Sequence, residues 1–228
     1  MPTQPPAALT DAAAFARLAR ARLRQNDDGV ADRSADNSPG PSDFDLNPST
    51  FTGSSPSTAD VEPKLFRPAA VLVGIVAHTV PTVILTERTR HLTSHAGQIA
   101  FPGGKIDPSD ASALAAALRE AHEEIGLSAT SVEPLGTLPA YRTATGFRIT
   151  PVVGLIHPPL DLVAEPSEVA DVFEVPLAFL MAEANHRIDQ RAWQGQTRRF
   201  YAMRFEQRYI WGATAGILKS LHRSLFHE

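Results

Sequence analysis

The segment from Asp110 to Ile125 carries the strongest pattern in the chain, and it predicts an amphipathic helix that ends at Gly126. At about 100° per residue, its apolar residues fall on one face of the helix. They are Leu114, Ala117, Leu118, Ala121 and Ile125. Glu120 and Glu123 point away from this face, and Glu124 lies at its margin. A helix that packs its apolar face therefore gathers three carboxylates on its other side.

These carboxylates predict a site for a hard divalent cation. Glu120 and Glu124 are four residues apart, a like-charge arrangement that costs an isolated helix about 0.2–0.5 kcal/mol. Arg119 is the only cation close to them in this segment. Mg²⁺ takes oxygen ligands and prefers few carboxylates together with water and phosphate, so such an ion would complete the cluster.

The composition excludes several classes of protein. A chain of 228 residues, 43% of them hydrophobic, can bury a sizeable core as one domain with appendages or as two small domains. Its net charge of −4 predicts no nucleic-acid partner and no membrane partner. The absence of cysteine excludes disulfide scaffolds, thiol nucleophiles and zinc–thiolate sites. No secretory signal and no apolar run of about 18 residues are visible, so we expect a cytoplasmic protein.

The composition also divides the chain into three regions. Residues 1–25 predict an N-terminal helix, with Thr10 as its N-cap and its end at about Arg24. We expect it to lie against the main domain with its arginines in water; the alternative is a basic amphipathic helix for an anionic surface or ligand. Residues 26–66 are rich in Asp, Ser, Pro, Gly, Thr and Asn, and they predict a disordered polar linker. Residues 67–228 hold the main domain.

Strand patterns outnumber helical patterns in the main domain. Ala69–Ala77 and Thr82–Thr86 predict two buried strands joined by a tight connection. Further strands are predicted at Gln98–Phe101, Val132–Leu138, Ile149–Ile156, Val172–Val175 and Phe200–Phe205. Helices are predicted at Leu177–Ala184 and Ala213–Leu225. This mixture predicts an α/β (α+β) fold with a sheet at its core and helices outside.

A glycine pair before the helix completes a recognisable spacing. Gly104 is followed by five residues, then Asp110, and later by Arg119-Glu120-Ala121-His122-Glu123-Glu124-Ile125-Gly126-Leu127. This resembles the Nudix box, G-x5-E-x7-R-E-U-x-E-E-x-G-U, in which U is aliphatic. The chain departs from the box at two points: Asp110 stands where the box has Glu, and eight residues rather than seven separate it from Arg119.

A second motif lies upstream and narrows the resemblance. Leu85-Thr86-Glu87-Arg88, Leu92, His95-Ala96-Gly97-Gln98 and Phe101-Pro102-Gly103-Gly104 look like the signature of the coenzyme A pyrophosphatase branch of the Nudix hydrolases. The similarity runs from about Arg67 to Gly216, so it covers most of the main domain. It implies a Nudix-type α/β/α sandwich with a mixed central sheet.

The resemblance also implies a reaction and a set of site residues. Glu120, Glu123 and Glu124 would bind Mg²⁺ or Mn²⁺, and Arg119 would orient these glutamates. Gly103 and Gly104 would bring backbone close to the diphosphate or the metal. The substrate implied is coenzyme A or an acyl derivative, cut into adenosine 3′,5′-bisphosphate and 4′-phosphopantetheine.

Several residues keep two interpretations. Glu168 fits a general base and also an ordinary solvated loop glutamate, with Glu165 and Glu120 as competitors for the role. Arg88 fits a phosphate ligand and also a strand-end arginine in water. His95 fits a substrate contact and also a turn residue.

The function has two alternatives. One keeps the fold and metals but moves the substrate to ADP-ribose or another nucleoside diphosphate derivative. The other is a catalytically silent Nudix-fold binding module, which predicts broken metal positions, whereas all three glutamates are present here. Self-association as a homodimer is left open.

Overall fold

The computed structural model describes residues 6–25, 41–47, 66–91, 96–193 and 195–227. Within these ranges, no helix combines the length and apolar character needed to cross a membrane. The helices are α1 (Ala12–Arg22), α2 (Ala113–Ile125), α3 (Leu177–Leu180) and α4 (Ala213–Phe226). The strands are β1 (Arg67–Val76), β2 (Thr82–Arg88), β3 (Ile99–Ala100), β4 (Gly103–Lys105), β5 (Val132–Thr137), β6 (Tyr141–Arg142), β7 (Phe147–Ile156), β8 (Val169–Pro176), β9 (Arg187–Trp193), β10 (Gln196–Phe205) and β11 (Arg208–Trp211).

The central sheet is mixed, as the sequence predicts. Strand β1 pairs in parallel with β7, in a register that runs from Arg67–Phe147 to Val76–Ile156, and antiparallel with β2. The main strand order is β3-β2-β1-β7-β5, with β4 on β1, β6 on β7 and β8 on β2. The predicted strand pair on either side of the tight connection is therefore confirmed.

Alternation along β1 builds a core on each face of this sheet, because successive side chains of a strand point to opposite faces. Leu72 and Val76 pack with the apolar face of α2. Val73 and Ile75 pack on the opposite face, together with residues of α1 and α4. The α2 residues in the first core are Ala116, Ala117, Ala121 and Ile125. This arrangement confirms the α/β/α sandwich.

Three helix boundaries differ from prediction for local reasons. Helix α1 is capped by Asp11 rather than Thr10, because the Asp11 carboxylate accepts a hydrogen bond from the Ala14 N–H. Helix α2 begins at Ala113 rather than Asp110, because the Ser112 side chain accepts a hydrogen bond from the Ala115 N–H and caps the helix. Helix α3 ends at Leu180 rather than Ala184. The side chain of His186 bonds to the Leu180 carbonyl at 2.6 Å, which satisfies a carbonyl that a longer helix would use.

A second, three-stranded sheet was only partly predicted. Its strand order is β11-β10-β9, and the sequence predicts only the central strand, β10. Strand β9 reads Arg-Ile-Asp-Gln-Arg-Ala-Trp, and β11 reads Arg-Tyr-Ile-Trp. Neither sequence contains an apolar run long enough to predict a strand. Antiparallel pairing with β10 stabilises both strands instead.

A short piece of the predicted linker is packed on the main domain. Asp43 accepts hydrogen bonds from the Tyr141 hydroxyl and from the Ala144 N–H, both at 2.8 Å. The Asn47 side chain bonds both backbone groups of Arg199, at 2.7 and 2.8 Å. The prediction of disorder is therefore wrong for residues 41–47. Hydrogen bonds of their polar side chains, rather than burial of apolar surface, attach them to the main domain. Residues 26–40 and 48–65 of that linker lie outside the described residues.

Helix α1 belongs to the core of the main domain, and this makes a stability prediction. Phe15 is fully buried in the core that α1 shares with β5 and α4, whereas Arg17 is exposed. Phe15→Ala should lower the free energy of unfolding by about 3–5 kcal/mol, because it leaves a cavity in the shared core. Arg17→Ala should change it by less than about 0.5 kcal/mol. Urea denaturation measures both values, and equal values would show that α1 is not part of the core.

Candidate functional site

Two glycines place the backbone of β4 directly against α2. Gly104 pairs with Ala70 of β1, and a Cβ atom at Gly104 would lie 2.6 Å from Oε2 of Glu120. Gly103 has a φ of 154°, and a Cβ atom there would lie 2.6 Å from the Cα of Val71. At Gly103 only glycine fits, because the neighbouring atoms include β1 backbone, whereas at Gly104 a Cβ atom would displace the end of the Glu120 side chain.

Glu124 is the most buried of the three carboxylates, with 4% of the residue exposed. Its Oε2 accepts a hydrogen bond from the Gly103 N–H at 3.2 Å, and its Oε1 lies 3.5 Å from Nη1 of Arg88. Burial raises the pKa of Glu124 to about 7, because these two partners offset only part of the cost of removing the charge from water. Sequence periodicity placed this side chain at the margin of the apolar face, and the β4 backbone and Arg88 cover it further.

Glu120 and Glu123 share one guanidinium. Nη1 of Arg119 donates to Oε1 of Glu120 at 3.1 Å and to Oε2 of Glu123 at 3.0 Å. Burial raises the pKa of Glu120, whereas the Glu123 side chain is 56% exposed. The three carboxylates therefore run from a buried position beside the β4 backbone to an exposed one.

Asp110 fixes Arg119 in place. Nε and Nη2 of Arg119 donate to the two carboxylate oxygens of Asp110 at 3.0 and 2.9 Å, and Nη2 also donates to the Lys105 carbonyl at 3.2 Å. This bidentate pair lowers the pKa of Asp110 and raises the pKa of Arg119 well above its ordinary value. The sequence analysis predicts no contact for Asp110. Its position in the box, where the motif has a glutamate, could have indicated that its carboxylate has a role.

Glu168 brings a fourth carboxylate towards the cluster. It is exposed and directly precedes β8, and its carbonyl accepts a hydrogen bond from the Thr89 N–H at 2.9 Å. Repulsion from its charge contributes to the raised pKa values of both Glu120 and Glu124. Glu165 behaves differently, because its carboxylate accepts hydrogen bonds from the Ser167 N–H and hydroxyl, at 3.2 and 2.9 Å.

The structure thus gathers most of the residues singled out from the sequence. Arg88 ends β2 and lies beside Glu124, within the cluster rather than in open water. His95 lies outside the described residues. The residues that the structure brings together are Arg88, Gly103, Gly104, Arg119, Glu120, Glu123 and Glu124, with Glu168 close by.

The donor set of this cluster fits a hard divalent cation. All of its charged ligand atoms are carboxylate oxygens, and neither sulfur nor imidazole nitrogen is among them in the part of the chain that the structure describes. Two of the carboxylates have raised pKa values because burial of their charge is not fully compensated. A divalent cation bound to these oxygens would supply the missing compensation.

Burial of Glu124 predicts a pH dependence of stability in the metal-free chain. The pKa of Glu124 rises from 4.5 to about 7 on folding, so the folded state binds more protons than the unfolded state between these values. This contribution to stability is complete below pH 4.5 and is lost as the pH rises through about 7. Glu124→Gln keeps an acceptor for the Gly103 N–H without titrating.

In EDTA, the Glu124→Gln variant should therefore gain stability relative to the wild type as the pH rises from about 5 to about 8. The gain should reach up to about 3 kcal/mol, since one pKa unit corresponds to about 1.4 kcal/mol. Urea denaturation at several pH values measures the difference. A difference that stays constant with pH would show that Glu124 does not titrate in this range.

Comparison with known proteins places this site in a family. The NUDIX domain model matches residues 66–194. A protein named "Uncharacterized Nudix hydrolase NudL" from Shigella flexneri serotype 5b is 45% identical over 160 residues, which cover 70% of this chain and 83% of the relative. The protein of that name from Escherichia coli K12 is 46% identical over 155 residues, covering 68% and 81%. The solved structure of the Nudix hydrolase RenU from M. smegmatis has a TM-score of 0.41 and 25% identity, over 48% of this chain and 70% of that one.

The family model spans more than half of the chain, and it includes the glycine pair and the three carboxylates of α2. The NudL relatives extend the match through most of their own length. The chain belongs to the Nudix hydrolase family.

Proposed function

We propose that the chain is a cytoplasmic, metal-dependent diphosphatase. It hydrolyses coenzyme A or acyl-coenzyme A into adenosine 3′,5′-bisphosphate and 4′-phosphopantetheine or its acyl derivative. One observation carries the diphosphatase activity: Glu120 and Glu124 lie against the glycine backbone of β4, and Arg119 joins Glu120 to Glu123. The choice of coenzyme A rests on the upstream sequence motif, from Leu85 to Gly104.

The contacts of this motif support its place at the site. Arg88, which ends the first part of the motif, lies 3.5 Å from Glu124. Gly103, in its last part, donates its N–H to the same carboxylate. The first and the last part of the upstream motif therefore both contact Glu124 of the carboxylate helix, where a diphosphate would bind. In the domain organisation that we propose, residues 67–228 form the hydrolase domain and α1 packs on it.

Each carboxylate has a defined task in this proposal. Glu120, Glu123 and Glu124 would hold Mg²⁺ or Mn²⁺, which when bound neutralises phosphate charge and makes a bound water more acidic. Arg119 orients Glu120 and Glu123 through a single nitrogen, and Asp110 keeps that guanidinium from turning away. Arg119 is thus a positioning residue.

Glu168 is the group that we assign to proton transfer. A general base must be ionised and close to the water that it activates. Glu168 is exposed, while its charge still acts on Glu120 and Glu124, so it lies at the solvent edge of the cluster. It would accept the water proton at a carboxylate oxygen as the water attacks one phosphorus of the diphosphate. The bond from that phosphorus to the bridging oxygen breaks, and the other phosphate leaves with that oxygen. Glu165 is the weaker candidate, because Ser167 already occupies its carboxylate.

A substrate panel analysed by phosphorus NMR tests the proposal. Coenzyme A, acetyl-coenzyme A and ADP-ribose are each incubated with the full chain and Mg²⁺ or Mn²⁺, with EDTA as the control. We expect adenosine 3′,5′-bisphosphate from both coenzyme A substrates, and no products in EDTA. Cleavage of ADP-ribose with coenzyme A left intact would overturn the substrate. No turnover of any substrate would favour a silent binding module.

A further inference from the structure

A second group of metal-ligating side chains lies on the face of the central sheet opposite α2. Glu183 begins a short 3₁₀ turn after α3, His222 lies in the last turns of α4, and His227 directly follows α4. One ligand atom from each of the three residues lies within 4.8 Å of the others. The turn and the end of the helix therefore present two imidazoles and one carboxylate to a common point.

Two distances between these atoms exceed those of a tetrahedral metal site by less than about 1 Å. Oε1 of Glu183 lies 3.5 Å from Nε2 of His227 and 4.0 Å from Nδ1 of His222. Ligand bonds of about 2.0–2.1 Å place neighbouring ligand atoms roughly 3.3 Å apart. Glu183 and His227 are largely exposed, with side-chain exposures of 62% and 53%, so small rotations of these two would close the difference.

His222 supplies a second and independent observation. The residue is only 6% exposed, and its Nδ1 finds no hydrogen-bond partner among the described residues. A buried polar atom left unpaired costs about 1–3 kcal/mol, so such atoms are uncommon unless something binds them.

Neighbouring rings hold His222 in this orientation. The ring of His186 meets it edge-on at 5.3 Å between centroids, and the ring of Phe226 lies at 5.4 Å. The His186 ring is itself fixed, because its Nε2 donates to the Leu180 carbonyl. These contacts orient the unpartnered nitrogen of His222, and the two exposed side chains can move towards it.

We propose that Glu183, His222 and His227 bind one transition-metal ion of the zinc type, at a site separate from the carboxylate cluster. Two imidazole nitrogens and one carboxylate favour Zn²⁺, Ni²⁺ or Cu²⁺, whereas oxygen-only sites favour Mg²⁺ and Mn²⁺. A water molecule would complete the tetrahedron. Lys219, whose Nζ lies 3.6 Å from Oε1 of Glu183, is the competing cation and would move away. The ion would tie the 3₁₀ turn to the end of α4.

Zinc titration in excess Mg²⁺ tests this site on the full chain, because excess Mg²⁺ would compete with Zn²⁺ for the oxygen-only cluster. Isothermal calorimetry should show one Zn²⁺ per chain. His227→Ala and Glu183→Gln, both at exposed positions, should each weaken zinc binding by at least about tenfold. His157→Ala is the matched control: its side chain is also 53% exposed and also contacts a glutamate, but it belongs to no such cluster in the described chain.

Long-range ¹H–¹⁵N NMR of the imidazoles examines His222 without replacing a buried residue. Zinc should shift Nδ1 of His222 and Nε2 of His227, while the ring nitrogens of His157 keep their positions. The proposal is overturned if zinc fails to bind in excess Mg²⁺. It is equally overturned if His227→Ala and His157→Ala bind zinc alike, or if Nδ1 of His222 does not respond.

Discussion

Replacing Glu120 by glutamine is expected to lower kcat for coenzyme A hydrolysis by roughly 10³-fold, or about 4 kcal/mol of transition-state stabilisation. The Glu120 carboxylate lies against Gly104 and receives a hydrogen bond from Arg119, so it is both placed and oriented for a cation. Glutamine keeps the shape and the hydrogen-bonding capacity but removes the charge that a divalent ion requires. Steady-state kinetics at saturating Mg²⁺ measures the effect.

Stability should not fall in this variant. Burial already raises the pKa of Glu120, and the charges of Glu123 and Glu168 repel it. A neutral side chain removes that repulsion, so the free energy of unfolding in EDTA should be unchanged or higher. Glu133→Gln is the matched control and should keep the wild-type kcat. Glu133 lies on β5, outside the cluster, and pairs there with His157. Full activity of the Glu120 variant would place the site elsewhere.

The second large effect is expected from Gly104→Ala, which should lower kcat by about 10²-fold at little cost in stability. The new methyl group would lie 2.6 Å from Oε2 of Glu120, and the end of a flexible side chain can move away from it. That movement displaces the carboxylate from its position, and displacements of about 1 Å in a catalytic group cost on the order of 10²-fold. The loss therefore appears in kcat rather than in folding.

Gly103→Ala provides the contrast one residue away. Its φ of 154° is unfavourable for a residue with a Cβ atom, and the methyl group would meet the backbone of Ala70 and Val71 in the central strand β1. Backbone in the sheet cannot move aside, so the free energy of unfolding should fall by about 1–3 kcal/mol or more. Urea denaturation of the two variants separates the effects. The interpretation of the glycine pair fails if Gly104→Ala retains the wild-type kcat.

Local patterns predicted the parts of the fold that local interactions determine. Helix α2 could be predicted because its apolar period and its closing residue, Gly126, lie within one short segment. Gly126 has a φ of 67° and ends the helix in the left-handed conformation that glycine favours. Strands β1 and β2 are continuous apolar runs that are buried on both faces, so their sequence also carries its own signal.

Interactions between distant segments could not be predicted in this way. The burial of Phe15 depends on contacts with strands and a helix far along the chain, so the sequence predicts a helix there but not its place in the core. Strands β9 and β11 depend on pairing with β10, and their own residues are too polar to indicate it. Asn47 holds the start of β10 through side-chain hydrogen bonds, in a segment whose composition indicates disorder.

The candidate site shows the same division. The spacing of Glu120, Glu123 and Glu124 along α2 was readable, because helix geometry alone brings them together. The degree of burial of Glu124 was not, since it depends on Arg88 and on the β4 backbone. The bidentate contact between Asp110 and Arg119 depends on a turn before the helix, in which the Asp107 N–H bonds the Asp110 carboxylate at 2.8 Å. The contact could not be predicted from the box, because eight residues rather than seven separate Asp110 from Arg119.

Anomalous diffraction from crystals of the full chain soaked in Mn²⁺ tests the central claim most directly, because it locates the ion without assuming a substrate. The account predicts a manganese peak bound by carboxylate oxygens of Glu120, Glu123 and Glu124, beside the Gly104 backbone. A structure in which manganese is absent from these oxygens, with the three side chains turned to solvent, would contradict it.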